Sequence, residues 1–164
     1  MADTGETTHE SIAPGRVALV TGATKGIGRA IAEHLRDRGY RVAGTTRGTD
    51  VPVGVLPVQC DITDADQVEA AFSQVEQELG PVEVLVANAG ITKDGLLMRM
   101  DEDAFTSVID TNLTGTYRLV KRASRAMMKQ RYGRIVLISS VVALLGSPGQ
   151  VNYAASKAGL IGIA

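Results

Sequence analysis

Two side chains near the end of the sequence form a pair that can move a proton. Tyr153 and Lys157 are four residues apart, so on a helix they lie on the same face, one turn from each other. A free phenol has a pKa of about 10 and is a poor proton donor near neutral pH, but a nearby ammonium group stabilises its phenolate form. The pair therefore predicts a tyrosine that exchanges a proton with a carbonyl oxygen, the alternative being an ordinary exposed pair.

Two adjacent serines lie at the end of the strand predicted over residues 134–139 and are candidates to bind the same carbonyl oxygen. A hydroxyl at Ser140 could hydrogen-bond that oxygen and orient it. Neighbouring side chains of a strand point to opposite faces, so only one of Ser139 and Ser140 can face the site. The residue types alone do not decide which of the two serines binds the carbonyl oxygen.

A glycine-rich turn near the start of the sequence has the form expected of a dinucleotide site. It follows an apolar run over residues 16–21 and opens a helix predicted over residues 26–38. Glycine allows a tight turn and a close approach of the backbone to a pyrophosphate, and a helix N-terminus favours the phosphate charge. Turns without ligands also use glycine, so the prediction depends on the position of this turn between a strand and a helix. The turn residues expected to bind are Gly22, Thr24, Lys25, Gly26, Ile27 and Gly28.

The residues after the second predicted strand, 41–46, indicate which dinucleotide is bound. An acidic residue at this point binds the ribose 2′-hydroxyl, whereas an arginine suits a 2′-phosphate. The sequence has Arg47 here, with no acid, and Lys25 can reach the same region. We therefore expect NADP(H), the alternative being that both cations are solvated surface charges.

Apolar runs alternate with amphipathic segments along the chain. This alternation predicts βαβ units with right-handed crossovers, and the nearly continuous apolar runs indicate strands that are buried on both faces. We expect an α/β fold, a Rossmann-type doubly wound parallel sheet with helices on both faces, formed by residues 14–164 as one domain. Strands are predicted at 16–21, 41–46, 56–60, 82–87 and 134–139, and helices at 26–38, 64–79, within 102–131 and from residue 151.

Composition narrows the class of protein. The chain has 164 residues, of which 45% are hydrophobic and 21% charged, as in a globular domain. Its 17 basic and 18 acidic residues nearly cancel, which argues against a general binder of nucleic acid or membrane surfaces. No apolar run is long enough to span a bilayer, and residues 1–13 lack the features of a signal peptide and predict a flexible tail.

The single cysteine excludes an internal disulfide. Cys60 is expected to be buried at the end of a strand, without a metal or catalytic partner. Together with the absence of a signal peptide, this predicts a cytoplasmic protein without a metal site.

These features, in this order, resemble the short-chain dehydrogenase/reductase family from about Arg16 to the end of the chain. The resemblance selects Ser140 over Ser139 and implies a catalytic set of Asn112, Ser140, Tyr153 and Lys157. It also implies that Asn112 opens its helix and holds a water linked to the lysine, rather than being an exposed asparagine without a role. Lys157 would also bind the nicotinamide ribose.

The same resemblance extends the set of cofactor ligands beyond the glycine-rich turn. It implies that Asp61 contacts the adenine and that the loop after the fourth predicted strand shapes the adenosine pocket. Asp61 has a second reading, as a cap of the turn into the helix at Asp64. The added ligands are Arg47, Asp61, Ile62, Asn88, Ala89, Gly90, Tyr153 and Lys157.

Residues 125–136 and 152–162 resemble one branch of this family, the bacterial 3-oxoacyl-[acyl-carrier-protein] reductases. This branch implies an NADPH-dependent oxidoreductase of fatty-acid biosynthesis and lipid metabolism, usually a homotetramer, that converts a 3-oxoacyl thioester to the 3-hydroxyacyl form. Arg131 matches a basic position that contacts the acidic carrier protein, or it is a helix-end arginine favoured by the helix dipole.

The end of the chain limits what this resemblance implies. Residues 160–164 stop in the middle of a predicted helix, so we expect a chain truncated at its C-terminus. Two other readings remain: a related reductase of another ketone, such as a 3-oxoacyl-CoA, a sugar or a steroid, and an inactive dinucleotide-binding fragment.

Overall fold

The computed structural model describes residues 15–48 and 50–164, which form a five-stranded parallel sheet flanked by helices. The order of the strands is β3-β2-β1-β4-β5, and every neighbouring pair is parallel. This arrangement confirms the predicted doubly wound sheet. The predicted tail, residues 1–13, lies outside the described residues. The strands are β1 Val17–Val20, β2 Arg41–Thr46, β3 Leu56–Gln59, β4 Val84–Ala87 and β5 Arg134–Leu137.

In the described part of the chain, six α-helices connect or follow these strands, and a π-helical segment at Asp110–Gly115 joins the helices Glu102–Ile109 and Thr116–Gln130. Two short elements were not predicted from the sequence: α5 and a 3₁₀ turn at Leu97–Arg99. Both are too short to show a helical period. The helices are α1 Gly26–Asp37, α2 Ala65–Glu78, α3 Glu102–Ile109, α4 Thr116–Gln130, α5 Val142–Leu145 and α6 Val151–Ile163.

The sheet is covered on both faces, as the apolar strands predicted. Side chains alternate along β1, so Leu19 packs on one face with Phe72 of α2 and Leu119 of α4. Val20 points to the other face, where it packs in a cluster with Ala32 of α1. The packing of both faces against helices holds the strands in position within the sheet.

β5 departs from the expected burial. Its side chains Ile135 and Val136 are 37% and 46% exposed, whereas every residue of β1 is buried. β5 is the last strand in the order of the sheet, and within the described ranges no strand pairs with its outer edge. An apolar run predicts a strand but does not reveal whether that strand has a second neighbour.

The arrangement of β1 and β4 opens a crevice at one edge of the sheet. The two strands are neighbours, but the chain continues from β1 to one side of the sheet and from β4 to the other. In a doubly wound sheet, ligands bind outside the carboxyl ends of the strands at such a point.

Candidate active site

A cleft of about 730 Å³ lies at the carboxyl ends of β1, β2, β3 and β4. Every residue predicted to bind the cofactor lies in its lining except Tyr153 and Lys157. These residues come from four separate stretches of the chain, which the parallel sheet brings to one edge. A cleft of this size is in the usual range for small-molecule sites.

The glycines of the turn are required by its geometry. Gly22 and Gly26 have φ angles of +67° and +54°, in the region that favours glycine. A Cβ atom at Gly28 would overlap the carbonyl oxygen of Gly22 and the side-chain nitrogen of Asn88. Gly28 is therefore required because the start of the helix packs directly against the turn and against Asn88.

The start of α1 has the properties of a phosphate site. The helix begins at Gly26 without a side-chain cap, and its first turn has no acidic residue. The first N–H groups of a helix have no partner within it and carry the positive end of its dipole. These amides line the cleft, so the residues present fit a dinucleotide pyrophosphate.

Two side chains lock the glycine-rich turn to the loop that follows β4. Thr21 Oγ1 accepts hydrogen bonds from the amides of Asn88 and Ala89, both at 3.0 Å. In return, Asn88 Nδ2 donates to the carbonyl oxygen of Thr21 at 2.9 Å. Sequence reasoning missed Thr21, although a polar residue at the end of an apolar strand is a signal, because buried hydroxyls need partners.

Two cations and one acid line the cleft. Lys25 and Arg47 are exposed to solvent, and Asp61 is half-buried. Hydrogen bonds from the amide and hydroxyl of Thr63 lower the pKa of Asp61, and the charge of Arg47 adds to this effect. Asp61 thus stabilises its turn, as its second reading predicted, and its contact with adenine stays a prediction.

Cys60 is buried, as expected. Its thiol borders the cleft but is only 4% exposed. Burial, together with the nearby carboxylates of Asp61 and Asp64, raises the pKa of Cys60 to about 11. The thiol therefore stays protonated near neutral pH and is a poor nucleophile.

Asn112 lies in the π-helical segment between α3 and α4, where the α-helical hydrogen-bond pattern is interrupted. The residue is fully buried. Its Oδ1 accepts a hydrogen bond from the Ile91 amide at 2.8 Å, and its Nδ2 donates to the Ile91 carbonyl at 2.9 Å. Its own carbonyl accepts a bond from Thr116 Oγ1 at 2.8 Å. Asn112 therefore ties the opened helix to the cleft wall at Ile91.

Tyr153 and Lys157 lie on α6, with Lys157 Nζ 5.8 Å from the centre of the tyrosine ring. Lys157 Nζ donates to the carbonyl oxygen of Ile138 at 2.6 Å. It lies 3.6 Å from the position that a Cβ atom on Gly90 would occupy, so the amine adjoins the cleft. Burial lowers the pKa of Lys157.

Ser139 and Ser140 both follow β5, which ends at Leu137, so strand alternation does not decide between them. Ser139 Oγ donates to the backbone carbonyl of Lys157 at 2.8 Å and is thereby committed to holding α6. Ser140 Oγ accepts from the amide of Val142 at 3.3 Å, at the start of α5. This leaves its hydroxyl proton available for a substrate oxygen.

Asn152 is a buried residue that sequence reasoning missed. Its Nδ2 donates to the carbonyl oxygens of Lys93 and Ala104 at 2.8 and 3.1 Å. Its Oδ1 accepts from the amide of Tyr153 at 2.8 Å. Asn152 thus anchors the start of α6 to the loop after β4 and to α3, and it fixes the backbone of the tyrosine.

The comparison with known families agrees with this geometry. The family model for short chain dehydrogenases matches residues 16–164. The chain belongs to the short-chain dehydrogenase family. The resemblance to this short-chain dehydrogenase family stated from the sequence is thereby confirmed, and the roles of Tyr153 and Lys157 stay predictions.

Three curated relatives of this short-chain dehydrogenase carry the name 3-oxoacyl-[acyl-carrier-protein] reductase. MabA of Mycobacterium avium is 52% identical over 100% of the chain and 68% of the relative. MabA of Mycobacterium tuberculosis is 52% identical over 91% of the chain and 60% of the relative. FabG of Escherichia coli is 47% identical over 90% of the chain and 64% of the relative. The chain thus spans about two thirds of the length of these relatives or less.

Within residues 15–48 and 50–164, no helix is long and apolar enough to cross a membrane. In the same part of the chain, no group of three or more His, Cys, Asp or Glu side chains could hold a metal ion.

Proposed function

We propose that this chain carries the cofactor site and the catalytic residues of an NADPH-dependent 3-oxoacyl-[acyl-carrier-protein] reductase. The observation that carries the proposal is the placement of Lys157 between the tyrosine ring and the glycine-lined cleft. The names of the relatives, at 47–52% identity, favour this substrate class. The enzyme would act in the cytoplasm, in fatty-acid biosynthesis, as a homotetramer.

The proposed reaction adds one hydride and one proton to a ketone. NADPH, held by the residues that line the cleft, would supply the hydride for the carbonyl carbon. Tyr153 donates its phenolic proton to the carbonyl oxygen, which becomes the hydroxyl of the product. Lys157 stabilises the phenolate that remains, and Ser140 donates a hydrogen bond that orients the ketone.

The proposed preference for NADPH rests on Lys25 and Arg47. Both are exposed and line the cleft, where an extra phosphate would meet two positive charges. A guanidinium binds phosphate through paired hydrogen bonds, which a ribose hydroxyl cannot match.

The proposed carrier-protein contact rests on Arg131 and the charge of α4. Residues 116–131 contain no acidic residue, and Arg131 lies exposed where α4 ends. A basic surface attracts an acidic partner and speeds its encounter.

Exposed apolar side chains near the site favour a substrate with an acyl chain. Leu97 and Met98 are 70% and 90% exposed in the loop after β4, and Leu144 and Leu145 are 75% and 79% exposed in α5. The loop before Leu97 is bonded to the stretch that follows α5, through the amide of Gly95 and the carbonyl of Gly149 at 2.8 Å. Such apolar surface is typical of a ligand or protein contact.

The direct test is the oxidation of NADPH in the presence of acetoacetyl-CoA, with NADH as the control cofactor. The chain is assayed by itself and joined to the C-terminal segment of the Mycobacterium avium relative. Turnover by both proteins supports the proposal for the chain itself. Turnover by the longer protein alone means that the chemistry needs a further segment. No turnover by either, with NADPH bound, favours a reductase of another ketone, and no NADPH binding contradicts the proposed cofactor site.

A further inference from the structure

A hydroxyl group with no part in the proposed proton transfer joins two elements of the site. Ser156 lies on α6 between Tyr153 and Lys157 and is fully buried. Its Oγ accepts a hydrogen bond from Asn112 Nδ2 at 3.0 Å and donates one to the carbonyl oxygen of Tyr153 at 2.8 Å. Ser156 therefore connects the π-helical segment directly to the turn of α6 that carries the tyrosine.

The other hydrogen bonds of Asn112 extend the connection from Ser156 to the wall of the cleft. A side-chain amide has two N–H donors, and Ile91 and Ser156 take one each. Ile91 also donates its own amide to Asn112 Oδ1, and it lines the cleft next to Gly90. A continuous chain of hydrogen bonds thus runs from the wall of the cleft, through Asn112 and Ser156, to the backbone of Tyr153.

We propose that Ser156 is a positioning residue that holds Tyr153 in register with the wall of the cleft. This inference rests on the function proposed above. Without the hydroxyl, one N–H of Asn112 would lack its partner in a fully buried region, which native structures rarely tolerate. The amide of Asn112 would then move toward another acceptor, and the turn that carries Tyr153 would lose its tether. Small displacements of a reacting group lower the rate of the chemical step.

Ser124 of α4 provides a matched control. Its Oγ donates to the carbonyl oxygen of Val120 at 2.7 Å, one turn earlier in the same helix. Ser156 makes a similar bond to Tyr153 but also the bond to Asn112. Ser124→Ala thus removes a hydroxyl bonded within one helix, whereas Ser156→Ala also removes a link between two helices.

The kinetic test compares these two variants in whichever form of the protein, the chain alone or the chain joined to the relative's C-terminal segment, turns over substrate. We expect Ser156→Ala to lower kcat about tenfold while the Kd for NADPH stays within about twofold, since Ser156 is not part of the lining of the cleft. Ser124→Ala should change neither value more than about twofold. In an Asn112→Ala background, Ser156→Ala should lower kcat no further, because its partner is already gone.

A second measurement does not depend on turnover. Hydrogen exchange at the Ile91 amide reports the bond to Asn112, and we expect it to be about tenfold faster in Ser156→Ala and unchanged in Ser124→Ala. If the wild-type protein shows no turnover, the proposed function fails, and exchange at Ile91 alone decides the role of Ser156. If Ser156→Ala does not fold, Ser156→Cys, which keeps the size and a weak donor, takes its place with smaller effects in the same direction. Unchanged kcat and exchange, or an equal further loss of kcat in the Asn112→Ala background, would overturn the inference.

Discussion

Arg131 has a backbone conformation that its side chain disfavours, so replacing it with glycine should make the protein more stable. Among the described residues it is the one non-glycine residue with a positive φ, +55°. It follows the last residue of α4, and its amide donates to the carbonyl of Met128. The amide of Tyr132 donates to the carbonyl of Met127. Glycine is the usual residue at such a helix end. We expect Arg131→Gly to stabilise the fold and, if the docking proposal is right, to weaken the reaction with carrier-bound substrate.

The magnitude follows from comparing Arg131→Gly with Arg131→Ala, since both remove the same charge. The left-handed conformation costs a residue with a Cβ atom about 1–2 kcal/mol relative to glycine. The greater freedom of glycine in the unfolded chain offsets about 0.5–1 kcal/mol of this. The glycine variant should therefore be more stable than the alanine variant by about 0.5–1 kcal/mol, or by a few degrees or less in Tm.

Chemical denaturation of the variants measures this difference. Arg125→Gly is the control, because Arg125 is exposed within the same helix, where glycine destabilises by about 1 kcal/mol. An arginine-to-glycine substitution is thus expected to stabilise the protein at the end of α4 and to destabilise it within α4. An Arg131→Gly protein that unfolds at lower denaturant than Arg131→Ala would refute the reasoning. In kinetics, both Arg131 variants should lose kcat/KM with carrier-bound substrate but not with a CoA thioester, and equal losses with both substrates would remove the docking proposal.

The remaining predictions concern the cofactor and the proton. Tyr153→Phe should reduce kcat by at least about 100-fold while NADPH still binds, and undiminished turnover would exclude Tyr153 as the proton donor. Arg47→Glu should weaken NADPH binding far more than NADH binding in fluorescence titrations, because a like charge repels the 2′-phosphate; equal effects would refute that contact. Gly28→Ala should abolish binding of both cofactors, since its Cβ overlaps Gly22 and Asn88, whereas Gly162→Ala, where a Cβ meets open space, should bind normally. Because burial lowers the pKa of Lys157, activity should decline with rising pH already below the usual lysine value of 10.5, and Lys157→Arg should move any remaining decline to higher pH.

The sequence predicted those features whose cause is local. The glycine-rich turn is recognisable because tight turns at the start of a helix need glycine, and the structure shows positive φ angles at Gly22 and Gly26. The helical spacing of Tyr153 and Lys157 likewise places them on one face of α6. The alternation of strands and helices was sufficient for the parallel sheet, because parallel strands need a crossover.

Only the tertiary structure decided which distant residues meet. Asn112 contacts Ile91 and Ser156, and Lys157 contacts the carbonyl of Ile138. No periodicity along the chain encodes these pairs, because they depend on the order of the strands and on how α6 packs against the opened helix. The exposure of β5 is also a property of the sheet as a whole. Residue types and spacing therefore determined the chemistry that is available, and the packing of remote segments determined which groups hold it in place.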